Sequence, residues 1–146
     1  MIIMALYDDI INRLGMFNCE VAEEQRKAIQ YLIKKTLSSI NNYTNQNYDE
    51  ENMPYGTYYI VVDKVAGEYL SSKRITGDLE GYDFTPLIKD IQEGDTKIGY
   101  STSLSQADLI DKAIDFLING KDEELHKYFQ ESEIILEKTK ELNLKF

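Results

Sequence analysis

The sequence predicts a mainly α-helical single domain over 1–146, a bundle of about five helices with one small β-hairpin inserted between the third and fourth. Three features predict it. Apolar residues recur at three- and four-residue spacing in several separate stretches. That period is lost between Lys73 and Thr102, where glycines stand at 77, 81, 94 and 99 with Pro86 among them. The helical stretches on either side carry recognisable start and stop residues.

The first helix is predicted over 4–14 from Leu6, Ile10, Ile11 and Leu14, with Gly15 as its stop. Met16 to Cys19 then form a connector. A second helix, 20–42, follows from the stripe Val21, Ala28, Ile29, Leu32, Ile33, Leu37 and Ile40, with acids leading and bases following as a helix dipole prefers. Between Asn41 and Asn52 the chain turns to Asn, Thr, Gln, Asp and Glu, which favour loops because they compete with the helical backbone for hydrogen bonds.

Pro54 suits the start of the third helix, 54–71, with Asn52 or Met53 at the cap. Tyr58, Val61, Val62, Val65, Ala66 and Tyr69 mark one buried face. The helix is expected to stop near Ser71 or Ser72, followed by a short extended Ile75-Thr76 and an exposed loop from Gly77 to Tyr82. The hairpin, 88–100, pairs Ile88–Gln92 with Thr96–Tyr100 around Glu93-Gly94-Asp95, where glycine permits a positive φ.

Ser103 and Gln106 have capping-box spacing and open a fourth helix, 104–118, on Leu104, Ala107, Ile110, Ala113, Ile114, Leu117 and Ile118. Asn119-Gly120 closes it. The last helix, 122–142, starts on Asp122, Glu123 and Glu124 and ends near Lys138 and Lys140. Its apolar line, Leu125, Phe129, Ile135 or Leu136, and Leu142, is thin, as expected of a helix that projects to meet a partner.

Charge and composition exclude several functions. Hydrophobic residues at 42% and charged residues at 29% describe a chain that folds. A formal charge of −10 argues against gripping nucleic acid through phosphate neutralisation, though an acidic wall lets a duplex pass without sticking. The single cysteine, Cys19, permits no internal disulfide and no CxxC metal site, and fits a small buried hydrophobe in a reducing compartment. The apolar start Met1 to Leu6 has no basic region before it and is followed by Tyr7-Asp8-Asp9, so neither a signal peptide nor a membrane span is expected and the cytoplasm is the expected location.

No catalytic constellation emerges, and no catalytic, metal or cofactor-binding residue is assigned. His126, the sole histidine, has Glu, Lys and Tyr neighbours and reads as a solvated surface residue. Asp108, Asp111 and Asp115 share a helix face and would suit a divalent cation, but Lys112 adjoins them and the row lies opposite an apolar stripe. Asp78, Glu80 and Asp83 lack the ligand spacing of a calcium loop, and Glu93-Gly94-Asp95 lacks the lysine and extra glycines of a phosphate loop. The tyrosines at 43, 48, 55, 58, 59 and 69 raise the question of base stacking, but the region is neutral to acidic, which favours core and subunit contacts.

The order of parts carries a resemblance: a helical first half, the Met53-Pro54 start of an apolar helix ending in Glu68-Tyr69-Leu70, a loop, the Ile91-Gln92-Glu93-Gly94-Asp95-Thr96-Lys97-Ile98 hairpin, then a helical segment ending in Leu142-Asn143-Leu144-Lys145-Phe146. It resembles the head-tail connector, or adaptor, proteins of tailed bacteriophages and prophages, from Glu20 onward. Pro54 and Gly94-Asp95 stand where that family has its helix-starting proline and its turn. The resemblance implies a structural subunit in a homo-oligomeric ring, typically of about twelve copies, between the portal protein and a neighbouring tail-completion or collar protein. DNA would be passing cargo in the lumen. The place of action would be the bacterial host cytoplasm during assembly, then the neck of a virion or of a phage-tail-like particle. The long loop Gly77 to Pro86 and the long charged last helix depart from the family pattern. On this reading Ile91, Ile98 and Tyr100 make ring contacts, while Leu142, Leu144 and Phe146 dock the component above. The alternative is an acidic regulatory or DNA-mimicking module that occupies the basic groove of a nucleic-acid enzyme.

Overall fold

The computed structural model describes residues 2–77, 82–85 and 105–129. They are mainly helical, as the periodicity predicts. Four long helices, α1 (Ile2–Gly15), α2 (Arg26–Thr44), α3 (Tyr55–Ile75) and α4 (Gln106–Asn119), are joined by a one-turn α5 (Asp122–Leu125) and short 3-10 turns at Glu23–Gln25 and His126–Tyr128. No strand is present among the described residues. The hairpin expected at 88–100 lies outside them.

α3 is the axis. α1, α2 and α4 each pack on it. Ile60, Val61, Val62 and Asp63 are consecutive and all buried. A full turn takes about 3.6 residues, so the middle of this helix is enclosed around nearly its whole circumference rather than along the single face that spacing predicts. The helices around it keep one inward stripe each: Leu6, Ile10 and Leu14 on α1, Ile29, Ile33, Leu37 and Ile40 on α2, and Ala113, Ile114 and Leu117 on α4. Ala28 and Ala107, expected in these stripes, are exposed.

Several boundaries differ from expectation for identifiable reasons. Gly15 ends α1, but the left-handed residue that turns the chain is Asn18 (φ 59°), with the Cys19 amide donating to the Leu14 carbonyl at 3.1 Å. The second helix starts at Arg26, not at residue 20, because Ala22 is extended and Glu23–Gln25 form a 3-10 turn. Asn45 caps α2 in the left-handed conformation that asparagine tolerates. Pro54 is the cap residue of α3 and not its first helical residue.

α3 runs on to Ile75, past the expected stop at Ser71 or Ser72. Ser72 bonds its hydroxyl back to the Tyr69 carbonyl at 2.6 Å, Lys73 and Arg74 suit a helix C-terminus, and the chain turns only at Gly77 (φ 75°). Ile75-Thr76 is therefore not an extended piece. After it the chain returns to the core: Phe84 is buried and stacks on Phe17 with ring centroids 5.6 Å apart, and the Asp83 amide donates to the Phe17 carbonyl at 2.8 Å. Thr85 donates its amide and its hydroxyl to the Asp83 carboxylate, which holds that carboxyl below its usual range.

The capping box on α4 is Ser105 with Asp108, both reciprocal bonds present, two residues later than the Ser103–Gln106 spacing predicts. The last helix does not run on continuously from Asp122. It closes as α-helix at Leu125, tightens to a 3-10 turn, and Phe129 is extended (ψ 126°). What the segment does beyond Phe129 lies outside the described residues.

Gly67 sits where α4 crosses α3: a Cβ there would stand 2.7 Å from Ile118 Cγ1 and 2.9 Å from Leu117 Cβ. In an open helix Gly to Ala stabilises by up to about 1 kcal/mol. Here the sign reverses, because the obstruction includes a Cβ fixed to the neighbouring backbone. Gly67→Ala is expected to destabilise by about 1–3 kcal/mol in urea unfolding.

Candidate functional site

Asp63 and Lys64 interrupt the apolar run of α3 at its midpoint. A buried carboxylate is tolerated only when paired. Asp63 receives Arg13 Nε of α1 at 2.9 Å on one oxygen and Lys121 Nζ, in the turn after α4, at 3.4 Å on the other. Lys64 donates to the Ile118 carbonyl and to Asp122 Oδ1, both at 2.6 Å. Adjacent residues of opposite charge thus tie α3 to α1 and to both ends of the α4–α5 turn.

Lys64 also stands between two clefts. One, of about 340 Å3, is bounded by Ser39, Ile40, Tyr43, Asn119, Asp122 and Leu125. The other, of about 180 Å3, is bounded by Lys35, Thr36, Ser39, Glu68, Ile118 and Asn119. The amine in their shared wall already has two acceptors, so it is engaged as a structural clamp and not held ready for chemistry. Tyr43 and His126 meet at the rim of the larger cleft, with Tyr43 Oη 2.8 Å from His126 Nε2. The histidine expected to be merely solvated is exposed but links the last turn to α2.

A wider, open groove of about 490 Å3 runs along the end of α2, lined by Lys34, Ser38, Asn41, Asn42, Asn47 and Glu50 among others. Asn41 fixes the loop beyond it, donating to the Tyr48 carbonyl at 2.9 Å and accepting the Tyr48 amide at 2.8 Å. Partial burial raises the Glu50 carboxyl above its ordinary value, and Lys34 opposes that shift without forming an ion pair.

The tyrosines divide into two sets. Tyr69 is buried; Tyr58 donates its hydroxyl to Asp9 of α1, and Tyr48 packs against the core. Burial, then the Asp9 carboxylate, push the Tyr58 phenol well above its ordinary value, and partial burial raises that of Tyr48. Tyr128 covers Gly56, whose missing Cβ leaves room for its hydroxyl. Tyr31, Tyr55 and Tyr59 instead face outward, 66%, 81% and 54% exposed.

The three aspartates of α4 do not converge on a cation. Asp108 serves the capping box, Asp111 binds Arg74 Nε at 2.5 Å, and Asp115 accepts from Asn119 at 2.8 Å. Among the described residues no three His, Cys, Asp or Glu side chains are grouped to hold a metal ion, and no helix is long and apolar enough to cross a membrane. Cys19 is buried. The interface residues expected from the sequence, Ile91, Ile98, Tyr100, Leu142, Leu144 and Phe146, all lie outside the described residues. The Asp63 and Lys64 clamps were missed by sequence reasoning. The available signal was two adjacent charges inside an otherwise apolar helix.

Removing Asp63 leaves Arg13 and Lys121 facing an uncompensated gap. Asp63→Ala is expected to cost about 3 kcal/mol or more in urea unfolding, whereas loss of the half-exposed Asp122 carboxylate by Asp122→Ala costs about 1 kcal/mol or less. The Tyr58 shift gives a second expectation. A phenol whose folded value is raised contributes stability that is complete below its unfolded value of 10.0 and declines as pH rises above it. Urea midpoints should therefore fall above about pH 10, and less steeply in Tyr58→Phe. No family model matches the chain, and no curated protein or solved structure matches it either.

Proposed function

We propose that the protein is a structural head-tail connector subunit that forms a ring at the portal–tail junction of a phage or phage-tail-like particle. The observation that carries this reading is the division of labour among its side chains. The charged groups at the centre are consumed in clamps between helices, while large aromatic residues, Tyr31, Tyr55, Tyr59 and Phe129, remain on the surface. Such a surface suits a chain that works by contact, offering large aromatic side chains to neighbours.

The order of parts supports the same role. The proline-started helix α3 is the core of the subunit, and the segment 88–100, proposed as a β-hairpin, brings Ile91, Ile98 and Tyr100 to the next copy. Leu142, Leu144 and Phe146 dock the portal side. The DNA-mimic alternative has less support, because Asp63, Asp111 and Asp122 are neutralised by Arg and Lys of the same chain.

Size-exclusion chromatography with light scattering tests the proposal on the full chain, alone and with the portal protein from the same genome. The expected result is a closed oligomer or a stable portal complex, with portal binding lost when Asn143 to Phe146 are deleted. A chain that stays monomeric under both conditions overturns the connector role.

A further inference from the structure

α2 contains no acidic residue in a protein of net charge −10. Its outward face carries Lys27, Tyr31, Lys34 and Lys35, all exposed, and among the described residues Lys27, Lys34 and Lys35 form no ion pair. Lys34 looks across the open groove toward Asp49 and Glu50, and Lys35 shares the smaller cleft with Glu68. Lys27 and Tyr31 border neither of these grooves nor the larger cleft. The outward face of α4 has the opposite character: Asp108, Lys112 and Asp115 are exposed there, and Asp111 is occupied by Arg74.

The two faces match in spacing. Lys27, Tyr31 and Lys34 stand at i, i+4 and i+7, and so do Asp108, Lys112 and Asp115. Laid side by side and parallel, two helices with this pattern bring Lys27 to Asp108, Tyr31 to Lys112 and Lys34 to Asp115, across about 10.5 Å of rise. The outer two pairs are opposite charges, and the central one places an ammonium on an aromatic face. Asp108 and Asp115 each accept a hydrogen bond within their own helix, and a carboxylate retains further acceptor capacity. α2 and α4 both pack chiefly on α3, and the two faces in question lie opposite their buried stripes, so a single subunit does not bring them together.

We propose that the α2 face of one subunit docks on the α4 face of a second copy of this chain, head to tail. The partner is another copy because its acidic α4 row supplies complementary charge at matching intervals. A contact between two different faces of identical subunits leaves each subunit with one free face of each kind, so it propagates, and it closes into a ring where the rotation between copies permits. The inference rests on the connector reading and assigns it a contact outside the hairpin.

Sedimentation velocity of the full chain at about 50 mM salt tests it, since exposed charge pairs are strongest at low ionic strength. Wild type is expected to associate. K27E/K34E, D115K and Y31A should each weaken association, with the first about tenfold, the effect of losing roughly 1.4 kcal/mol. K27E/K34E mixed with D115K should associate more strongly than either alone, because each restores the face the other reverses. Circular dichroism melts establish that the variants fold; should K27E/K34E fail to fold, D115K alone carries the test. If wild type assembles and K27E/K34E assembles equally well, the assigned contact is wrong while the connector role stands. A wild type that is monomeric alone and with the portal protein overturns both.

Discussion

Asp63 sets the terms on which this bundle forms. A carboxylate whose side chain is 12% exposed in the middle of an enclosed helix has lost most of its hydration, and only well-placed cations offset that loss. The cations come from Arg13, fifty residues earlier, and from Lys121 beyond α4. The burial of α3 at its centre therefore depends on both α1 and the α4–α5 turn. Lys64 adds a constraint of the same kind by binding the Ile118 carbonyl, one of the acceptors that the end of α4 leaves without an intrahelical partner. Apolar burial supplies most of the driving force, but it is indifferent to register. These two pairs fix the register, since sliding α3 by one residue would bring Asp63 or Lys64 against the wrong charge.

The existence of the first four helices was legible in the sequence, and helix ends were less so. The stripes Leu6, Ile10, Leu14 and Ile29, Ile33, Leu37, Ile40 follow directly from period and are buried as spaced. The ends depended on choices that residue type leaves open. α1 ends at Gly15 as spacing suggests, but the left-handed turn that redirects the chain falls to Asn18, three residues on. Ser103 and Ser105 could each open α4, and Ser105 has the acidic partner three residues on that completes the reciprocal bonds. The extension of α3 through Ser71 and Ser72 shows that two serines do not stop a helix when one of them bonds back to a carbonyl of the preceding turn.

The candidate site was legible only in its local part. The aspartate row on α4 and the tyrosine-rich start of α3 are properties of one helix each, so spacing reveals them. That Tyr58 meets Asp9, that Tyr43 meets His126 and that Phe84 returns to stack on Phe17 are contacts between distant parts of the chain, and no period encodes them. The segment after Gly77 is the clearest case: the surface loop expected from Gly77 to Tyr82 lies mostly outside the described residues, and two residues beyond it Phe84 is buried in the core, which no spacing announces.

The two faces of α2 answer to different demands. The inward one is dictated by α3, and any comparable apolar stripe would satisfy it. The outward one is free of that demand, and for stability alone its first turn would favour acids, with cations near a helix N-terminus unfavourable by about 0.3–1 kcal/mol each. α2 itself opens on Arg26 and Lys27, and the acids come just before it, Glu23 and Glu24 in the 3-10 turn that leads into the helix. Arg26 has local compensation, lying over the Tyr7 ring at 4.5 Å and 3.6 Å from Glu23. Lys27 is exposed and forms no ion pair among the described residues, although Glu24 and Glu23 stand three and four residues before it. The packing on α3 does not use that charge, and in the proposed head-to-tail contact Asp108 of a second copy would face it.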